Sequence, residues 1–274
     1  MRTHDLNREF EWLEASGPFS VLSPEQAAQY NESGFVLIED AFDASVIADV
    51  VAAIDPVEER REEWLRSKGG TFFIARAGEI TFSTHLVLES EYLRSFATSP
   101  VLLGLCGDLV GPDVRLYWDQ AVYKKPGTSS PFPWHQDNGY AFIEPQQYLT
   151  CWIPLTDATE DNGCPWVVPG VHKMGTLAHE YSDIGLVCLE EEPEAIPVPA
   201  KKGSIVVFSS LTPHCTGANV TDEVRKAYIV QYAPVGAEVL TADASGSITR
   251  TPAVEPSRQF VVLEAGKQAH DFEH

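Results

Sequence analysis

Residues 201–234 read KKGSIVVFSSLTPHCTGANVTDEVRKAYIVQYAP, and the texture of this stretch decides the fold class. A buried-type apolar run, Ser204–Phe208, leads to His214. A turn-rich segment follows, and a second apolar run sets out from Arg225. Two β-branched runs about a bend of Gly, Asn and Asp predict a hairpin-like return of two strands. One limb carries a histidine, and the other is headed by an arginine. The same texture recurs in RLYWDQAVYKK, QYLTCWIPL, CPWVVP and AIPVPA. From about residue 113 to 240 the chain therefore reads as an antiparallel sandwich or barrel.

Upstream of this body the pattern is helical. Ser23-Pro24-Glu25-Gln26 predicts a helix start with a capping box, and Gly34 ends that helix. FVLIED (35–40) predicts a strand, and Asp43 opens a second helix to about Ile54. EERREEWLRSK (58–68) reads as a charged, exposed helix or loop. TFFIARAGEITF (71–82) predicts a hairpin bending at Ala77-Gly78, and Ser99-Pro100 opens a further helix closed by Gly111. Beyond about residue 240, QFVVLE (259–264) is the one expected strand. The expected architecture is mainly β with flanking N-terminal helices. It forms a single domain over 1–274, helical over about 20–111 and β over about 113–240.

Charge narrows the function classes. The 274 residues carry a net charge of −21, a surface that repels nucleic acid and anionic membranes. No apolar run is long enough to span a bilayer, and the charged N-terminal stretch has no apolar core of a secretory signal. The expected location is the cytoplasm, with a small-molecule substrate as partner, no nucleic acid and no membrane. The five cysteines are scattered without a paired motif, so no disulfide framework is expected. Cys151 reads as a small core residue.

PFPWHQDNGY (131–140) raises the metal question. In extended chain His135 and Asp137 project to the same side, whereas on a helix they would diverge. An imidazole and a carboxylate so placed are two-thirds of a facial triad for iron. The plain alternative is a turn histidine before a bend at Asp137-Asn138-Gly139. The third ligand must come from elsewhere. His4, His270 and His274 lie near the chain ends, where fraying is expected. His85 lacks a suitably spaced carboxylate, His172 follows a Pro-Gly turn and is expected at the surface, and His179 lies in a charged loop. His214 remains, at the end of a buried-type strand. Arg225 then needs an anionic partner. That partner is either Asp222 or Glu223 in a structural ion pair, or a carboxylate of a bound molecule gripped by two hydrogen bonds. Thr216, two residues past His214, could donate one more. Ferrous iron, one aspartate, a dicarboxylate and one arginine sum to near neutrality, which a dry pocket tolerates.

Taken in order, these residues resemble a known family. The series is His135-x-Asp137, Asp161-Asn162-Gly163-Cys164, Pro169-Gly170-x-His172-Lys173, Gly203-Ser204, Phe208, His214 and Arg225. It is similar to the phytanoyl-CoA dioxygenase family over about residues 20–235. The resemblance implies a double-stranded β-helix (a jelly-roll, cupin-like) and an Fe(II)- and 2-oxoglutarate-dependent dioxygenase. It implies His135, Asp137 and His214 as iron ligands and Arg225 with Thr216 on the cosubstrate's distal carboxylate. Gln120 resembles a further cosubstrate contact. Trp152 is read either as lining that pocket or as an inward core tryptophan. The implied reaction consumes O2 and 2-oxoglutarate, releases succinate and CO2, and hydroxylates an unactivated C–H bond of a small metabolite. Asp137 is present, where relatives with a small residue at that place are halogenases, so hydroxylation is expected. Trp134, Tyr140, Phe142, Phe73 and Arg76 are expected near the substrate, with core packing as the alternative for the aromatics. The rival readings are a metal-binding jelly-roll without 2-oxoglutarate turnover and an iron enzyme that needs no cosubstrate.

Overall fold

The computed structural model describes residues 1–190 and 194–269; His270 and His274 lie outside them. The helix Pro24–Ser33 forms where its capping signals stand. Gln26 N–H donates to Ser23 Oγ, and Ser23 N–H donates to the Gln26 side chain. Gly34 closes it with φ +82. The next helix runs from Ala44 to Ser67, well past the expected end at Ile54, with Pro56 inside it. An interior proline removes one hydrogen bond. Here Ile47, Val50, Ile54, Val57 and Leu65 bury one continuous face that spans the proline, so packing overrides the local signal. The charged 58–68 stretch is thus the second half of this helix. Glu91–Phe96 forms a short helix that the sequence reading did not expect, and Pro100–Leu109 forms as expected.

The β body is two facing sheets. The larger runs antiparallel in the order 35–38, 205–209, 149–154, 225–234, 114–124, 80–84, 75–76 and 71–72. The smaller orders 196–197, 165–167, 214–216 and 132–135. The strand Arg225–Pro234 lies at the centre of the larger sheet and is buried on both faces, which explains its near-continuous apolar sequence. Tyr228, Val230 and Tyr232 face the helices, together with Ile47, Ile54 and Leu102. Ala227 and Ile229 face the smaller sheet, together with Trp152, Val167 and Phe208. Arg225 and Gln231 share the parity of this inner face.

Toward the C-terminus, Glu238–Ala242 and Ile248–Pro252 pair as a hairpin against Ile143–Glu144, strands that the turn-rich local sequence does not predict. Val261–Glu264 pairs with the start of 114–124, near the expected QFVVLE strand. The N-terminus, expected to fray, folds back. His4 N–H donates to the Thr176 carbonyl, and its ring lies 4.9 Å from Phe142. His172, expected at the surface, is fully buried, with its ring edge-on to Trp12 at 4.3 Å.

Gly34 carries the packing beneath this histidine. A Cβ there would stand 2.6 Å from the His172 ring and from Thr212 Oγ1, on a backbone already in the left-handed region. Gly34→Ala should therefore destabilise the protein by about 2–4 kcal/mol, from left-handed strain plus overpacking, read as a lowered urea midpoint at unchanged slope.

Candidate active site

His214 stands directly opposite His135 in the smaller sheet. The register slips between that pair and Thr216↔Phe132. This bulge turns Phe132 and His135 to the same interior cavity although their spacing is odd. Trp134, adjacent to His135 in the strand, points to the other side by ordinary alternation and packs against the cluster of Val168, Leu177 and Leu189, a correction to its expected place beside substrate. The chain stays extended through Gln136 and then enters a short 3-10 turn, Asp137–Gly139. The ring centroids of His135 and His214 are 4.2 Å apart.

Hydrogen bonds orient all three side chains. His135 Nδ1 lies 2.8 Å from the Pro133 carbonyl, and His214 Nδ1 lies 3.0 Å from the Thr212 carbonyl. A carbonyl only accepts, so each Nδ1 carries the proton and each Nε2 keeps its lone pair. Thr150 Oγ1 donates to Asp137 Oδ2 at 2.6 Å, which leaves Oδ1 facing His214 Nε2 at 4.0 Å. One ligand atom from each of the three residues lies within 4.8 Å of the others, so the group could hold one metal ion. Burial pushes His135 down to about 3 and His214 down to about 4, and it raises Asp137. Both imidazoles are therefore neutral at pH 7, the form in which they ligate.

Two further groups brace this turn, and the sequence reading gave neither a role. The Gln136 side chain, between the two candidate ligands, is fully buried and bonds to the Gly175, Leu177 and Leu211 backbones. His179 accepts from Gln136 N–H at 3.0 Å through Nε2, while its Nδ1 donates to the Leu177 carbonyl. The loop position of His179 in sequence gave no sign of this long-range contact.

Arg225 is 1% exposed and makes no ion pair among the described residues. Asp222 and Glu223, the expected structural partners, do not engage it. Its Nη1 donates weakly to the Val122 carbonyl at 3.4 Å, while Nε and Nη2 have no hydrogen-bond partner among the described residues. Burial lowers it to about 10, still charged at pH 7. Its Cζ lies 5.5 Å from the Trp152 ring. Arg225, Trp152, Thr216 and Gln120 share the wall of a small cavity of about 60 Å³ with His135, Asp137 and His214. An uncompensated guanidinium in such a place fits a carboxylate guest. Lys124 adds a second buried amine beside it, at 3.3 Å from Thr216 Oγ1, lowered to about 7 by burial and by Arg225. Period-two counting could have found Lys124, since it shares parity with Gln120.

A larger cavity of about 440 Å³ meets the small one at Phe82, Gln120, Phe132, His135 and Asp137. Tyr140 and Phe73 line it, together with Trp118, Phe82 and Gln231. Phe142 does not line it: its side chain is buried with Leu6 and Leu240. Arg76 does not line it either, because its Nη2 is tied to the Asp183 carbonyl at 2.7 Å. The guanidinium on that wall belongs to Arg61.

A jelly-roll with two neutral imidazoles and one carboxylate at the mouth of a buried cavity defines a mononuclear non-haem iron oxygenase. The chain belongs to the phytanoyl-CoA dioxygenase family, whose model matches residues 30–227. It is accordingly an Fe(II)- and 2-oxoglutarate-dependent dioxygenase that uses O2. It is 26% identical over 257 residues to phytanoyl-CoA dioxygenase domain-containing protein 1 of Rattus norvegicus, covering 76% of this chain and 88% of that protein. It is 26% identical over 238 residues to the ectoine dioxygenase of Bordetella bronchiseptica, covering 77% and 75%. In fold it is similar to the epimerase SnoN, solved with Fe3+, alpha ketoglutarate and nogalamycin RO. There the TM-score is 0.67 at 21% identity, over 86% of this chain and 97% of that one. No helix among the described residues is long and apolar enough to cross a membrane.

Two outcomes test this geometry. A Cβ on Gly139 would stand 2.1 Å from the His179 ring. Gly139→Ala should thus displace the turn and weaken Fe(II) binding about 10- to 100-fold, measured by competition with a chelator. The second concerns pH. His85, His172 and His179 are lowered to about 4 by burial, as His214 is. Their unfolded value is 6.5, so the unfolded chain takes up protons first as pH falls. The stability these histidines contribute is present above pH 6.5 and is lost toward pH 4. Asp119, raised to about 6, and Asp137, also raised, act in the opposite sense but are outnumbered. The urea midpoint of the metal-free protein should fall steadily from pH 6.5 to pH 4.

Proposed function

We propose that His135 and His214, through Nε2, and Asp137, through Oδ1, hold the iron of a single oxygenase domain, in the cytoplasm, that hydroxylates a C–H bond of a small molecule. One observation carries the reading beyond a bare metal site: the buried, partnerless Nε and Nη2 of Arg225 beside the candidate ligands. A metal-binding jelly-roll without turnover has no use for that charge. It suits the distal carboxylate of 2-oxoglutarate in two-pronged fashion.

The surrounding residues divide the work. Thr216 adds a hydroxyl to the same carboxylate, held in place by Lys124. Trp152 forms an apolar flank that excludes water and keeps the dielectric low around the ion pair. Gln120 faces both cavities at their junction and separates cosubstrate from substrate. Thr150 and Gln231 fix the Asp137 carboxylate, so that one oxygen alone is offered to the metal. When bound, iron(II) and 2-oxoglutarate supply the activation of dioxygen and the oxidising power for the C–H bond, with succinate and CO2 as co-products. The residues orient both reactants and shield them, and no side-chain base or nucleophile is required.

Anaerobic addition of Fe(II), then 2-oxoglutarate, should give a visible charge-transfer band. Arg225→Ala should raise the 2-oxoglutarate concentration needed for that band roughly 100-fold, the equivalent of about 3 kcal/mol. His214→Ala should abolish it. A wild-type protein that binds Fe(II) yet shows no 2-oxoglutarate-dependent band would overturn the proposal.

A further inference from the structure

The larger cavity has a chemical character of its own. Its volume, about 440 Å³, is in the range that encloses a drug-sized ligand. Aromatic rings make about half of its wall, Trp64 and Trp118 among them, and Tyr140 lies against His135 at 5.5 Å between centroids. Full charge is scarce. Apart from Asp137 at the metal end, Arg61 is the one ionic side chain on the described wall, and it lies over Trp64 at 5.8 Å. The other polar residues on the wall are neutral, among them Tyr117, Tyr148, Gln120 and Gln231, with the Gln231 amide also bonded to Thr150.

The rim carries a second observation. Phe72 and Phe73 line the cavity yet are 57% and 74% exposed. They sit at the tip of the hairpin formed by Thr71–Phe72 and Ala75–Arg76. Phe73 is also held at φ +54, a conformation that costs a non-glycine residue about 1–3 kcal/mol. Two adjacent large apolar side chains, one strained and both wet, gain most if a flat apolar guest covers them.

Resting on the oxygenase reading above for its role as substrate, the guest can be assigned a class. We propose that this cavity takes a fused-ring aromatic molecule with oxygen substituents, clamped between the Phe72–Phe73 tip and the rings of Trp118 and Tyr140. Stacking supplies affinity, and the hydroxyls and amides of the wall meet the oxygens. A small zwitterion would leave most of the cavity unfilled and its rings uncovered. An acyl-CoA would need several cations for its phosphates, where the wall offers Arg61 and the chain carries −21.

The test is calorimetric titration of the full chain, without iron or 2-oxoglutarate. Three probes are used: 9-phenanthrol, glycine betaine and decanoyl-CoA. The phenanthrol should bind with a dissociation constant near or below about 10 µM, and the other two at least about 100-fold more weakly. The double variant Phe72→Ser, Phe73→Ser alters exposed positions, so it should fold, and it should weaken the phenanthrol at least about tenfold. Betaine or decanoyl-CoA binding as tightly as the phenanthrol would overturn the assignment, as would a double variant that binds it like wild type. Because iron is absent, such a failure leaves the oxygenase reading standing. Loss of the charge-transfer band, conversely, leaves this binding result intact.

Discussion

The pairing of His135 with His214 across the smaller sheet is the constraint on which the site depends. Backbone hydrogen bonds set the separation of two residues that lie far apart in the chain. Two backbone carbonyls, those of Pro133 and Thr212, then fix both imidazoles in one tautomer. The sheet therefore presents two lone pairs side by side before any ion arrives. Asp137 joins them because the chain leaves the strand one residue earlier and turns, with Asn138 anchoring that turn through Thr176 and the Ile143 backbone.

Behind this end of the sheet lies a second constraint, the central strand Arg225–Pro234. Neighbours on both edges and packing on both faces bury most of its side chains, Arg225 among them. Apolar residues gain from that placement, and Arg225 loses. Desolvation lowers Arg225 to about 10, which leaves it charged, and burial together with Arg225 lowers Lys124 to about 7, so the pocket wall carries a buried guanidinium without a carboxylate beside it among the described residues. That combination favours a small dianion. The same low dielectric keeps the candidate iron ligands in their neutral or hydrogen-bonded forms.

Much of this was legible in the residues. Period-two texture gave the sandwich, and Ser23 through Gln26 gave the first helix with its capping box. The spacing of His135 and Asp137, with His214 left by elimination, indicated the three residues that the structure gathers. Local rules failed where distant packing outweighed them. Pro56 should have stopped a helix, but a face buried on either side of it carried the helix on. His172 follows a turn that reads as surface, yet Trp12 and the Gly34 corner enclose it. Trp134 and Phe142 were expected beside substrate because they neighbour the ligands in sequence. Strand alternation sent the first elsewhere, and the turn after Asp137 sent the second.

By itself the sequence determined most of the sheet-forming segments, the kinship and the candidate metal-binding and anion-binding side chains. Periodicity and spacing are properties of the chain, and strand geometry converts them directly into faces. Only the tertiary structure decided that Arg225 makes no ion pair among the described residues, that His179 braces Gln136, and that aromatic rings from sheet, helix and hairpin line one large cavity. Those outcomes depend on which distant segments exclude water from one another, and that is settled when the two sheets and the helices close, not along the chain.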